Sequence, residues 1–254
     1  MKTTLQSILF LSSTAFFSAC NTNSDNSFGC GSTICEEVAG GDYSSMEECQ
    51  LACHAGAGVT DVDGNTYGTI MLGTQEWTMS NLNVATYRNG DPIPQVQDFA
   101  TWQDLTEGAW CYYENNSANG PVYGRLYNWY AVNDPRGLAP DGWHVASDAE
   151  WAILVELFGG TNEAGGALKA TGTSLWADPN EAATNASGFT ALPGGRRDSN
   201  LDFGHVGEDG SWWTSTEHST PFAKSRFMNH DSDAALGGYY GDKNNGHAVR
   251  CIKD

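Results

Sequence analysis

The sequence predicts an α+β domain of twisted antiparallel sheets with two helices and long loops, preceded by a small disulfide-stapled segment. Three observations predict it. The 254-residue chain carries 30 glycines with nine tryptophans and ten tyrosines, a composition of short strands and turns rather than of a helical bundle. Helix signals occur at 124–132 and at 147–158, with strand-like segments both before and after them, so the regular alternation of a doubly wound parallel sheet is excluded. Cys30, Cys35, Cys49 and Cys53 crowd into one stretch too short to bury a core of its own.

The chain opens with Lys2 and an apolar run from Ile8 to Phe17. That run is too short to cross a bilayer, which takes about 20 apolar residues, and it reads as an export signal over residues 1–19. Phe17-Ser18-Ala19-Cys20 resembles a bacterial lipobox, with Phe17 where leucine is usual. The resemblance implies that the Cys20 thiol takes diacylglycerol and becomes the first residue after cleavage. Asn21, in place of aspartate, is by the same analogy compatible with the outer membrane. Residues 20–28 then form the lipidated cysteine and a polar tether. Of seven cysteines, removing Cys20 leaves an even number, as expected of an exported chain whose remaining thiols form disulfides.

In residues 29–54, Ser44 with Glu47 and Ser45 with Glu48 offer overlapping capping boxes for a helix over 46–54. Cys49 and Cys53 share one face of that helix. Disulfides from it to Cys30 and Cys35 would staple the segment, and the pairing is left open among three connectivities. The run from Asp42 to Cys53 resembles the C-terminal helix of Kunitz inhibitor domains. The upstream cysteine and protease-facing loop are absent, so inhibition is not carried over. Zinc binding by the four thiols is disfavoured, because the paired C-x2-C spacing is missing.

The main domain is expected over 57–254, after the small-residue linker Ala55-Gly56-Ala57-Gly58. Val59–Tyr67 alternates around Asp63-Gly64, a hairpin signal. Thr69–Gly73 and Glu76–Met79 continue as strands. Leu126, Trp129 and Tyr130 fall at helical spacing within 124–132. Ser147 and Glu150 form a capping box opening a helix to Phe158, with Trp151, Leu154, Val155 and Phe158 as its buried stripe and Gly159-Gly160 as its stop. Strands are expected at Phe189–Leu192, Gly210–Thr216, Ala223–Asn229 and His247–Lys253.

Several blocks in this span occur in order: Asp61-Val62-Asp63-Gly64-Asn65, Gly73–Leu82, Ala109–Tyr113, Gly124–Trp129, Gly142–Val145, Gly188–Gly195, Trp212–Glu217 and Val249-Arg250-Cys251. Together they resemble the Fibrobacter succinogenes major paralogous domain. The resemblance implies secreted and surface lipoproteins without established activity, and a relationship to C-type-lectin-like folds. Members of that family often carry a cysteine just before the Pro-x-Gly-Trp-His stretch, where Ala139 stands here. The usual partner of Cys251 is therefore missing, and a Cys111–Cys251 bridge is the expectation that follows.

Catalytic signatures are lacking in the sequence. The histidines have no H-x-x-x-H or H-E-x-x-H spacing, and Gly194-Gly195-Arg196-Arg197 lacks the Lys-Ser/Thr of a phosphate loop. His144, between Trp143 and Val145, reads as a partly buried structural histidine. Formylglycine-generating relatives of the lectin fold would need a pair of active-site cysteines near the C-terminus, which Cys251 alone does not make. Calcium is the one cofactor with candidate ligands: Asp61 and Asp63 at alternate positions, and Asp231 with Asp233 in a late loop. The Asp61–Asn65 run fits a hairpin turn better, since no glutamate follows at the twelfth position. Trp176, in a loop, is the expected exposed aromatic for sugar stacking; Trp212 and Trp213 point to opposite faces of a strand, so one is expected in the core and the other exposed as a further ligand-binding candidate.

The formal charge of −19 opposes nucleic acid and anionic surfaces. The expectation is a lipid-anchored envelope protein, in the outer membrane or on the cell surface. Its non-catalytic, lectin-like domain would recognise a polysaccharide or a surface protein. The alternatives are a structural envelope lipoprotein without a small ligand and, less favoured, a formylglycine-generating-type enzyme.

Overall fold

A computed structural model describes residues 28–30, 35–37 and 55–254. The chain divides into two units, Met1–Cys53 and His54–Asp254. In the first, β1 (Phe28–Cys30) pairs antiparallel with β2 (Cys35–Glu37), with Cys30 opposite Cys35 along the backbone ladder. The expected export signal, Cys20 and the helix carrying Cys49 and Cys53 lie outside the described residues.

The second unit begins with a hairpin of β3 (Val59–Thr60) and β4 (Thr66–Tyr67), then β5 (Thr69–Leu72) and β6 (Gln75–Thr78). The hairpin loop spans 61–65 rather than the two-residue Asp63-Gly64 turn, because the Asp61 carboxylate organises it: Oδ1 accepts from the amides of Asp63 and Asn65. Next come α1 (Phe99–Gln103), β7 (Trp110–Cys111), α2 (Gly120–Tyr123), β8 (Leu126–Tyr127) and α3 (Trp129–Val132). The helix expected over 124–132 is thus only its last turn. Leu126 and Tyr127 pair instead with Cys111 and Trp110, and Asn128 caps α3 through the amide of Ala131.

After β9 (Trp143–Val145), α4 (Asp148–Leu157) runs as expected from its Ser147–Glu150 capping box. Trp151, Leu154 and Val155 are buried, while Phe158 forms the C-cap. It is the longest helix among the described residues; α5 (Ala164–Leu168) and the others are single turns. The remainder is β10 (Gly194–Asp198), β11 (Asp202–Val206), β12 (Asp209–Ser219), β13 (Phe222–Asn229), β14 (Ala235–Asp242) and β15 (Cys251–Lys253). The expected strand at 189–192 is reduced to one bridge, Ala191 with Lys169.

Two larger sheets result: β5-β6-β15-β9, and β11-β10-β12-β13-β14, antiparallel apart from the β10–β12 pairing. The last strand, β15, is inserted between β6 and β9, so it closes the sheet that β5 and β6 start. Trp77, Trp151 and Phe189 pack edge to face at 5.1–5.7 Å in the core. Beside them Arg250, fully buried, donates to Asn81 Oδ1 and to the carbonyls of Thr78, Phe189 and Thr190. One guanidinium thereby satisfies backbone carbonyls of two segments and the side chain of Asn81. The architecture is α+β with antiparallel sheets and few, short helices.

Candidate functional site

The structure relocates every aromatic singled out for ligand stacking. Trp176 is 1 % exposed and donates its indole N–H to the carbonyl of Ala191. Trp212 and Trp213 are fully buried, with N–H bonds to Asn81 Oδ1 and the Tyr127 carbonyl. They do point to opposite faces of β12, but both faces are covered. The physical reason is common to all three: each indole finds an internal acceptor, which removes the penalty of burying its polar edge.

Of the calcium candidates, Asp61 is fully engaged within its own loop. Besides its two amide bonds, Asp61 accepts at Oδ2 from Asn65 Nδ2 and the Tyr67 hydroxyl, and Asp63 Oδ2 accepts from the amide of Ala85. No lone pair of Asp61 is free for a cation. Near Asp231 and Asp233 an ammonium group takes the organising role: buried Lys169 donates its three Nζ bonds to the carbonyls of Glu181, Asn229 and Ser232, at 2.9, 3.0 and 2.7 Å. Burial pushes its pKa down to about 8, with the carboxylates of Glu181, Asp233 and Asp231 opposing, so it carries its charge at neutral pH. Among the described residues no cluster of three or more metal-ligating side chains occurs.

Cys111 and Cys251 are free thiols, which corrects the expected bridge. Cys251 lies in the main core cluster together with Ala139, whereas Cys111 packs with Trp102, Tyr113 and Leu126. Burial pushes both thiols up to about 12, so neither is a ready nucleophile. His144 is held between Asp254 (Nδ1, 2.7 Å) and Glu150 (Nε2, 2.9 Å), tying the chain end to α4.

A different place gathers polar and aromatic groups. On β13, Ser225, Phe227 and Asn229 share one sheet face, while Lys224 and Arg226 turn to the other face and bond Asp148 at the start of α4. The β13–β14 pairing shifts register between Ser225 and Phe227, opposite Gly237-Gly238. A Cβ on Gly237 would lie 2.2 Å from Arg226 Nη1, and Gly238 has φ of +78°, so both positions require glycine. After this bulge Tyr239 and Tyr240 are 53 % and 54 % exposed. Tyr239, opposite Ser225, borders a cleft of about 300 Å³ whose lining also includes Arg196, Asp198, Asp209 and His247, while Tyr240, opposite Lys224, stacks its ring on His218 at the other face.

The electrostatics of the cleft are nearly self-balanced. Arg196 bonds Asp198 (3.0 Å) and Asp209 (2.7 Å), and Asn229 donates to the other oxygen of Asp209. His247 has a determined tautomer. Ser211 Oγ gives its hydrogen to the Gly195 carbonyl and therefore accepts from His247 Nδ1–H at 2.9 Å. Burial, with Arg196 nearby, pushes the His247 pKa down to about 3, so the ring is neutral and Nε2 is a bare acceptor. That Nε2 has no partner, and neither does the hydroxyl of Ser225; both residues are 1 % exposed. The Nε2 lies 3.7 Å from a Cβ built on Gly241, another residue of the cleft lining. An unpartnered buried polar group costs about 1–3 kcal/mol.

Little in the sequence marks this cleft beyond Gly237-Gly238-Tyr239-Tyr240, a glycine pair followed by an aromatic pair. His247 lacks neighbours in sequence that would flag it, because its partners come from β12 and β13.

Fold and cleft together define an antiparallel α+β domain with an aromatic-edged, hydrogen-bonding hollow. The chain belongs to the Fibrobacter succinogenes major domain family, whose model matches residues 70–253. No curated protein and no solved structure matches the chain.

Proposed function

We propose that this protein is a surface-anchored lipoprotein whose domain, lectin-like in role and in fold relationship, binds a glycan in the cleft bordered by β10, β13 and β14. The observation that carries this reading is the pair of unpartnered buried groups, His247 Nε2 and Ser225 Oγ, in a cleft edged by Tyr239. Sugars combine hydroxyl donors with apolar C–H faces, and this lining offers an acceptor, a hydroxyl and aromatic rings together. Binding rather than catalysis is supported by the chemistry of the buried groups: two thiols pushed up to about 12 do not suit formylglycine generation. The Cys20 lipobox carries the anchor. Cell-surface or outer-membrane attachment would hold the domain where polysaccharides are met, and the net charge of −19 keeps it off nucleic acid.

The test uses the full chain purified in detergent, passed over immobilised xylan, mannan, starch and chitin with calcium and then with chelator. Saturable retention on at least one polysaccharide is expected, undiminished by chelation because Lys169 already holds the late loop. Absence of retention on every column would overturn the glycan reading and leave a structural envelope role. Lipid attachment is checked separately: labelled palmitate is expected in the wild-type protein and absent from Cys20→Ala.

A further inference from the structure

A second hollow of about 360 Å³ lies beside the first, lined in part by Tyr130, Asn200, Pro221 and Asp242. The two share a boundary. Asp198, Gly241 and Asn245 line the first, and their chain neighbours Ser199, Asp242 and Asn244 line the second. The wall between them is a low polar rib: Ser199 donates its amide to Asn245 Oδ1 at 2.8 Å and its hydroxyl to Asp242 Oδ2 at 3.0 Å. Each hollow alone is at the small end of the range for ligand sites, which runs from roughly 300 to 1,000 Å³, and the pair falls inside it.

The second hollow repeats the chemistry of the first. It sets the half-buried ring of Tyr130 and the apolar Pro221 against the polar side chains of Asn200 and Asp242. The charged residues lining the two hollows are Arg196, Asp198, Asp209 and Asp242, an acidic excess. That excess disfavours a ligand bearing carboxylates or sulfates, because like charges meeting in a partly desolvated cleft are repelled.

From these features we propose that the two hollows form one binding run for an uncharged saccharide chain of several units, which crosses the Ser199–Asp242–Asn245 rib with units seated on both sides. This rests on the glycan reading of the first hollow and adds what that reading leaves open: chain rather than single sugar, and neutral rather than acidic. Tyr239 serves the first hollow and Tyr130 the second.

The experiment is a calorimetric titration of the full chain in detergent. Its probes are oligosaccharides of increasing length, from one to six units, prepared from the xylan, mannan, starch and chitin used above. Affinity is expected to rise at least tenfold between the shortest and the longest member of one series. Tyr130→Ala should abolish that rise, and Tyr239→Ala should weaken all lengths. Affinity independent of length, or a rise that Tyr130→Ala leaves intact, would overturn the proposal while the glycan reading stands. Tighter binding of polygalacturonate oligomers than of any neutral series would also overturn it. Failure of every probe to bind would remove both readings.

Discussion

His247 shows how a single side chain can be structurally settled on one edge and open on the other. Nδ1–H is held by Ser211, whose own hydrogen is committed to Gly195, and the ring packs edge-on against Trp213 at 4.3 Å. Burial holds its folded pKa near 3, below the ordinary value of 6.5. Between these values the unfolded chain binds a proton that the folded protein refuses, so folding stability from this group is present above about pH 6.5 and is lost as the pH falls toward 3. His247→Asn should keep a donor toward Ser211 without the titration. Urea unfolding at about pH 7 and about pH 4 is expected to show a larger acid loss for the wild-type protein than for this variant. Equal losses would mean that the ring is not buried in its neutral form. Lys169 is the complementary case, a charge kept because three carbonyls match its three donors. From sequence alone neither could be read: a lone histidine and a lone lysine carry no signal of their surroundings, and Trp176 looks like a loop tryptophan until Ala191 is brought to its N–H.

At the scale of elements, legibility followed how local the signal was. The α4 capping box, the strands β12 and β13, and the 59–67 hairpin were legible because their determinants lie within a few residues of each other. The helix expected across 124–132 was not, because pairing of Leu126 and Tyr127 with β7 outweighs the local spacing. β14 was missed because Gly237 and Gly238 interrupt its alternation, and those glycines shape the cleft. Gly237→Ala must displace the Arg226 guanidinium, which is 2.2 Å from the added carbon and bonds Asp148. The expected result is a loss of about 1–3 kcal/mol in urea unfolding and weaker saccharide binding, since the bulge presents Tyr239. A variant of unchanged stability and binding would show that the bulge tolerates a side chain.

For the whole molecule, the insertion of β15 between β6 and β9 makes the domain one cooperative object whose two ends depend on each other. Cysteine arithmetic over the entire chain suggested full pairing, yet the domain keeps Cys111 and Cys251 in separate core clusters as free thiols. Alkylation of the unfolded, unreduced protein is therefore expected to label both. Protection of both would indicate a bridge and a different packing of the core. The family blocks were legible because they are contiguous, while the cleft draws on β10, β12, β13, β14 and the segment before β15, a combination only the fold assembles. The account rests centrally on that cleft as a saccharide site. Its most direct test compares Tyr239→Ala with Trp176→Phe in calorimetric titration against the polysaccharide that retains the wild-type chain. The exposed ring's loss is predicted to cost about tenfold or more in affinity, roughly 1.4 kcal/mol, with the unfolding midpoint unchanged, while Trp176→Phe binds as the wild type does. Undiminished binding by the tyrosine variant would contradict the account.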